Sequence, residues 1–264
     1  MKAKSILGAL LALPAILATS LALAASTGGA HVDFRANPNV RDWLRGRYVY
    51  LETASGKWRG EEEWNLTLNA DGSRTIRIFT LIGATELMRD FVHHVGADFR
   101  PLESFQSTWR KGARTGSGYY LFLKDRVEAT VSSPNGVFTQ RVDVDGPVTM
   151  IPHSMAGDGW HFWAYDRQKG GVQSITAINP SAWGDGRESV LFKSHVVSIA
   201  YKGTERVKVP AGDFDAERWV IDQQPDGTWV NEIWVHGPHR IMVKFIDHPH
   251  DMTFLLDRFE KPEK

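Results

Sequence analysis

Short runs in which apolar and polar residues alternate, each closed by a tight turn, recur along almost the whole chain, and that rhythm confines it to sheet. Trp64, Leu66 and Leu68 alternate with Asn65, Thr67 and Asn69; the turn Asn69-Ala70-Asp71-Gly72 follows, and residues 75–81 continue as a partner strand. A period of two sends successive side chains to opposite faces of a pleated ribbon, and an Asp-Gly turn between two such runs marks a hairpin. The pattern returns at 90–99, 105–110, 119–124, 127–132 and 137–144, and again at 190–200, 204–209, 216–222, 228–235, 241–247 and 253–259. Residues 48–51 read as a first strand, reached through a helical turn at 42–45. No run keeps the 3.6-residue period of an amphipathic helix, and β-branched and aromatic residues hold the alternating positions. About 12 to 14 short strands and few helices predict an all-β fold, a strongly curved antiparallel sheet or a half-barrel or barrel. A flat sheet of that size would expose long edges that invite aggregation.

The first 24 residues stand apart from this pattern. Lys2 and Lys4 precede an apolar run from Ile6 to about Ala22, and Ala22-Leu23-Ala24 has the small-x-small form a signal peptidase recognises. The run approaches the length of a membrane span, but the cleavage motif favours removal over an integral anchor. Residues 31–264 are then expected to form a single β-rich domain. Its one candidate seam is 146–186, where Gly, Pro and Trp concentrate. There is no cysteine, hence no disulfide and no site for lipid attachment after the leader. Lys plus Arg and Asp plus Glu number 31 each, and losing Lys2 and Lys4 leaves 29 against 31, a net charge of −2. Such a balance carries no electrostatic footprint for nucleic acid. A soluble periplasmic or secreted protein is expected, and the 10 Trp, 13 Phe and 6 Tyr point to an apolar or aromatic small molecule or lipid as partner.

The stretch Gly203-Thr204-Glu205-Arg206-Val207-Lys208-Val209-Pro210-Ala211-Gly212-Asp213-Phe214-Asp215-Ala216 resembles the Glu-x-Val-x-Val-Pro-Ala-Gly-x-Phe hairpin of the DUF3108-like exported β-rich proteins. Residues 229–244 and Arg100-Pro101-Leu102 extend the similarity over about two thirds of the mature chain. The resemblance implies a curved antiparallel sheet of the kind that includes open lipoprotein-carrier barrels, and it assigns no activity. Independently of it, Pro210 pre-sets φ and Gly212 permits φ > 0, which together reverse the chain between paired strands.

Residues 151–166 concentrate the chemistry-bearing side chains. If 160–166 is extended, His161, Trp163 and Tyr165 share one face while Trp160, Phe162 and Asp166 share the other. That face offers an imidazole between aromatic rings, a pocket wall carrying a general base. His153 is a second candidate base, with Asp158 or Tyr165 assisting. Trp160, Trp163, His94 and Tyr120 are the expected ligand-lining residues. His93 and His94 diverge in a strand, so only one enters the interior. Glu61-Glu62-Glu63 reads as a solvated strand end. His236 and His239 flank one turn and His248-Pro249-His250 occupies the next; consecutive turns of a meander lie about 20 Å apart, so no common metal site is expected. No cofactor is expected either, because no nucleophile elbow, zinc-binding helix, phosphate loop or dinucleotide fingerprint is present. Three functions follow: a binding or carrier protein with a Trp-lined interior, a cofactor-independent lyase, isomerase or hydratase using His161 or His153, and an assembly factor of the cell envelope.

Overall fold

Burial alternates as the side chains do: in the strand from Leu87 to Val95 every odd position is buried and every even one is partly exposed. The computed structural model describes residues 38–152, 154–180, 192–224 and 227–262. They form one sheet of 15 strands. In chain order these are β1 (Val40–Glu52), β2 (Trp58–Asn69), β3 (Arg74–Ile82), β4 (Leu87–Val95), β5 (Pro101–Arg110), β6 (Ala113–Phe122), β7 (Arg126–Ser133) and β8 (Gly136–Asp143). After them come β9 (Val148–Met150), β10 (Val172–Pro180), β11 (Phe192–Val209), β12 (Gly212–Asp222), β13 (Val230–His236), β14 (Ile241–Asp247) and β15 (Met252–Glu260).

The first strand, β1, lies in the middle of this sheet. β1 pairs with both β2 and β15, hairpins lead outward from β2 to β8 at one edge, and the return path runs from β9 at the other edge back to β15. All neighbours are antiparallel except β9 and β10. Only residues 144–147 separate the ends of β8 and β9, so the two edges lie within about 18 Å of each other there. Laid flat, 15 strands at about 4.8 Å spacing would put those edges roughly 67 Å apart. The sheet is therefore rolled, as the alternation predicts, yet no ladder joins β8 to β9. Gln140 of β8 instead reaches the first residue of β11 and does with its side chain what a strand does with its backbone: Nε2 donates to the Phe192 carbonyl (3.2 Å) and Oε1 accepts from the Phe192 N–H (3.0 Å).

Three local expectations are corrected. No helical turn occupies 42–45, which lies within β1. Residues 192–209 form one strand instead of two, because a bulge between Tyr201 and Gly203, with Gly203 at φ +109°, absorbs the irregularity and pairing with β12 continues. Residues 160–166 are not extended. Met155–Trp160 is a turn of 3₁₀ helix, continued by turns, and it packs inside the roll against β13 and β14. Gly157-Asp158-Gly159 weakens any strand here, and a Cβ on Gly159 would lie 2.0 Å from the Arg240 carbonyl oxygen, so only glycine permits this seating. The Pro210-Ala211 turn is as expected: Val209 pairs with Gly212, whose φ is +134°.

Candidate functional site

Two buried carboxylates anchor the 3₁₀ segment. The first is Glu62. It is the middle member of the acidic run read as solvated, and alternation along β2 turns it fully into the interior while Glu63 stays outside. It accepts hydrogen bonds from Tyr50 Oη (2.5 Å), Thr80 Oγ1 (2.9 Å) and the backbone N–H groups of Met155 (3.0 Å) and Ala156 (2.7 Å). Burial pushes its carboxyl up to about 7, against the pull of these donors. Arg89, also buried, has its guanidinium lowered by desolvation and feels Tyr50, Glu62 and Tyr120 electrostatically.

The second carboxylate is Asp158. The helical turn, and not a strand, brings it to His161 three residues on, with Asp158 Oδ1 2.9 Å from His161 Nε2. His161 Nδ1 meets Thr149 Oγ1 at 2.9 Å. The two side chains are only 5% and 3% exposed, and burial raises the Asp158 carboxyl while His161 holds it back. Carboxylate, imidazole and hydroxyl stand in the order of a nucleophile relay. Both imidazole nitrogens are engaged within the protein, however, and Thr149 is itself buried.

The other expected residues separate. Trp160 is a core peg, its ring between His93 (5.7 Å) and Phe99 (6.0 Å) and its Nε1 donating to the His239 carbonyl (3.0 Å). His94 faces outward, 3.4 Å from Glu103; the interior imidazole is His93, against Ser104 at 2.6 Å, and burial lowers it to about 3. Tyr120 points inward with its hydroxyl folded over Gly118. Burial raises its phenol. Tyr165 donates to the Gly171 carbonyl and sits edge-on to Trp219, closing a turn. His153 lies outside the described residues. His239 approaches Asp42, His248 pairs with Glu232, and His250 pairs with Asp247.

Of this set, Trp163 reaches a cavity. About 260 Å³ in volume, it lies where β5 begins, β6 ends and β7 begins, beneath the crossover at 144–147. Pro101, Phe122 and Val127 form a buried floor; Leu123, Val148 and Trp163 form half-buried walls; Arg100, Lys124, Gly146 and Pro147 form an exposed rim. Trp163 Nε1 donates to the Val148 carbonyl (2.9 Å), which fixes the ring against the crossover. Sequence reasoning missed the floor and rim, which come from four separate segments, although the Pro-bearing strand ends at 100–101 and 146–147 mark two of them. A second cavity, near Arg45 and Arg258, is polar, and Glu260 and Glu63 already pair with those arginines.

No family model matches this sequence, and no curated protein matches it significantly. Solved structures do. The crystal structure of a β-barrel-like protein of the domain of unknown function DUF1849 from Brucella abortus superposes with TM-score 0.53 at 13% identity, over 85% of this chain and 100% of that one. A candidate exported protein with a YmcC-like fold from Bacteroides fragilis gives TM-score 0.34 at 11% identity, over 84% of this chain and 97% of that one. A candidate lipoprotein from Parabacteroides distasonis gives 0.29 at 8%, with the same two coverages. The Brucella likeness shows the fold alone, a β-barrel-like sheet. No helix among the described residues is long and apolar enough to cross a membrane.

Proposed function

We propose that this protein is an exported binding or carrier protein whose cleft beside Trp163 takes the apolar or aromatic part of a small molecule or lipid. The observation that carries the reading is the half-open cavity of about 260 Å³ with an apolar floor and one indole wall, close to the smaller end of small-molecule sites, about 300 Å³. Export rests on the leader-like first 24 residues, and the DUF3108-like hairpin at 203–216 agrees with it. Catalysis by His161 is the weaker reading, because a general base needs a nitrogen open to substrate and both of its nitrogens have protein partners. The envelope-assembly reading is favoured by Phe105 and Tyr119, which pair on the outer face at 41% and 42% exposure.

Fluorescence titration with N-phenyl-1-naphthylamine, a neutral aromatic probe, tests the cleft. Saturable binding is expected, weakened about tenfold, equivalent to about 1.4 kcal/mol, by Trp163→Ala and by the wall-filling Leu123→Trp. Thermal midpoints identify any variant that fails to fold. Equal affinity in wild type and both folded variants would remove the cleft as the site.

A further inference from the structure

The rim of the cleft carries charge that its walls do not answer. Arg100, just before β5, and Lys124, just after β6, both line the cavity and both are exposed. Among the described residues neither makes an ion pair, whereas the neighbouring acids are engaged: Asp125 with Arg126, and Asp143 with Arg141. Asp98 accepts from the Arg100 backbone N–H, and Asp145 precedes Gly146 without lining the cavity. Two cations above an apolar floor of Pro101, Phe122 and Val127 give the cleft a polarity from mouth to base.

Resting on the binding reading above, we propose that the ligand is a single-chain amphiphile with an anionic head group, its carboxylate or phosphate held at the mouth by Arg100 and Lys124 and its chain lying against Trp163, Phe122 and Val127. A volume of about 260 Å³ suits one chain and not the two of a phospholipid. Arginine pairs with carboxylate or phosphate through two parallel hydrogen bonds, while lysine adds a mobile point charge. Both sit in solvent, so the head-group contribution is screened by salt and the chain contribution is not.

The test uses one chain length and four head groups: decanoate, decyl phosphate, decanol and decyltrimethylammonium, each displacing N-phenyl-1-naphthylamine from the full protein. At low salt the two anions are expected to bind at least tenfold more tightly than decanol, with the preference shrinking as salt rises. The stronger of the two anions identifies the head group. The double variant Arg100→Gln with Lys124→Gln should bring the affinity ratio of anion to decanol down to about one, and the double glutamate variant should favour the ammonium. Decanol equal to decanoate in wild type, or an anion preference that survives both double variants, would overturn the head-group assignment while leaving the cleft intact. Failure of all four chains and the probe to bind would overturn the cleft reading itself.

Discussion

Glu62 and His93 face the same interior and tie stability to pH with opposite signs. Burial raises the Glu62 carboxyl from 4.5 to about 7, so between those values the folded protein keeps a proton that the unfolded chain has lost. Its contribution is complete below 4.5 and disappears as pH rises through 7. Burial lowers the His93 imidazole from 6.5 to about 3, so its contribution is present above 6.5 and disappears as pH falls toward 3. From about 4.5 to 6.5 the two slopes, each about 1.4 kcal/mol per pH unit, oppose each other. Urea unfolding should therefore show a shallower pH dependence across that window in wild type than in either single variant. Glu62→Gln should make stability fall on acidification, and His93→Gln should make it fall as pH rises; parallel profiles in all three proteins would refute the opposition. Neither residue was legible as an interior group. Glu62 was hidden in a run of three acids, and choosing His93 over His94 requires knowing which parity of β4 faces inward, which no local pattern fixes.

At the scale of the element, strands were legible wherever polar and apolar residues alternate, and the 3₁₀ segment was not. Rings at 161, 163 and 165 on one parity and at 160 and 162 on the other imitate a strand, and what defeats that reading is backbone: Gly157 and Gly159 flank Asp158, and the interior offers Glu62 as an acceptor for Met155 and Ala156. The two glycines separate experimentally. Gly159→Ala should cost about 3 kcal/mol, since its Cβ would meet the Arg240 carbonyl oxygen and force the segment off β14. Nothing lies within 4 Å of a Cβ at Gly157, so Gly157→Ala should leave stability unchanged or raise it by up to about 1 kcal/mol. Chemical denaturation measures both, and equal effects would contradict the seating of the segment.

For the whole molecule, curvature and approximate strand number followed from the sequence because they need only alternation and edge avoidance. The centre-outward strand order did not, since hairpin succession is the same whether β1 ends an edge or pairs with β15. Nor was the cleft legible beyond Trp163, because its floor and rim meet only once β5, β6, β7 and the crossover are in register. The seam makes a prediction at this scale. Gln140→Ala should cost about 1–2 kcal/mol through two lost hydrogen bonds. Hydrogen–deuterium exchange should accelerate at the Phe192 amide and leave β1 unchanged; protection at Phe192 equal to wild type would mean that the clip does not hold β8 to the start of β11.

β1 and β15 are neighbours in space and roughly two hundred residues apart along the backbone, with Arg45 opposite Glu260. A polypeptide emerging from a ribosome or threading through a translocation pore makes the earlier of these strands long before its partner exists. Until synthesis reaches the later strand, one flank of β1 has no neighbour, and contacts of such long range are slow to close. The middle of the finished sheet is therefore the last part completed.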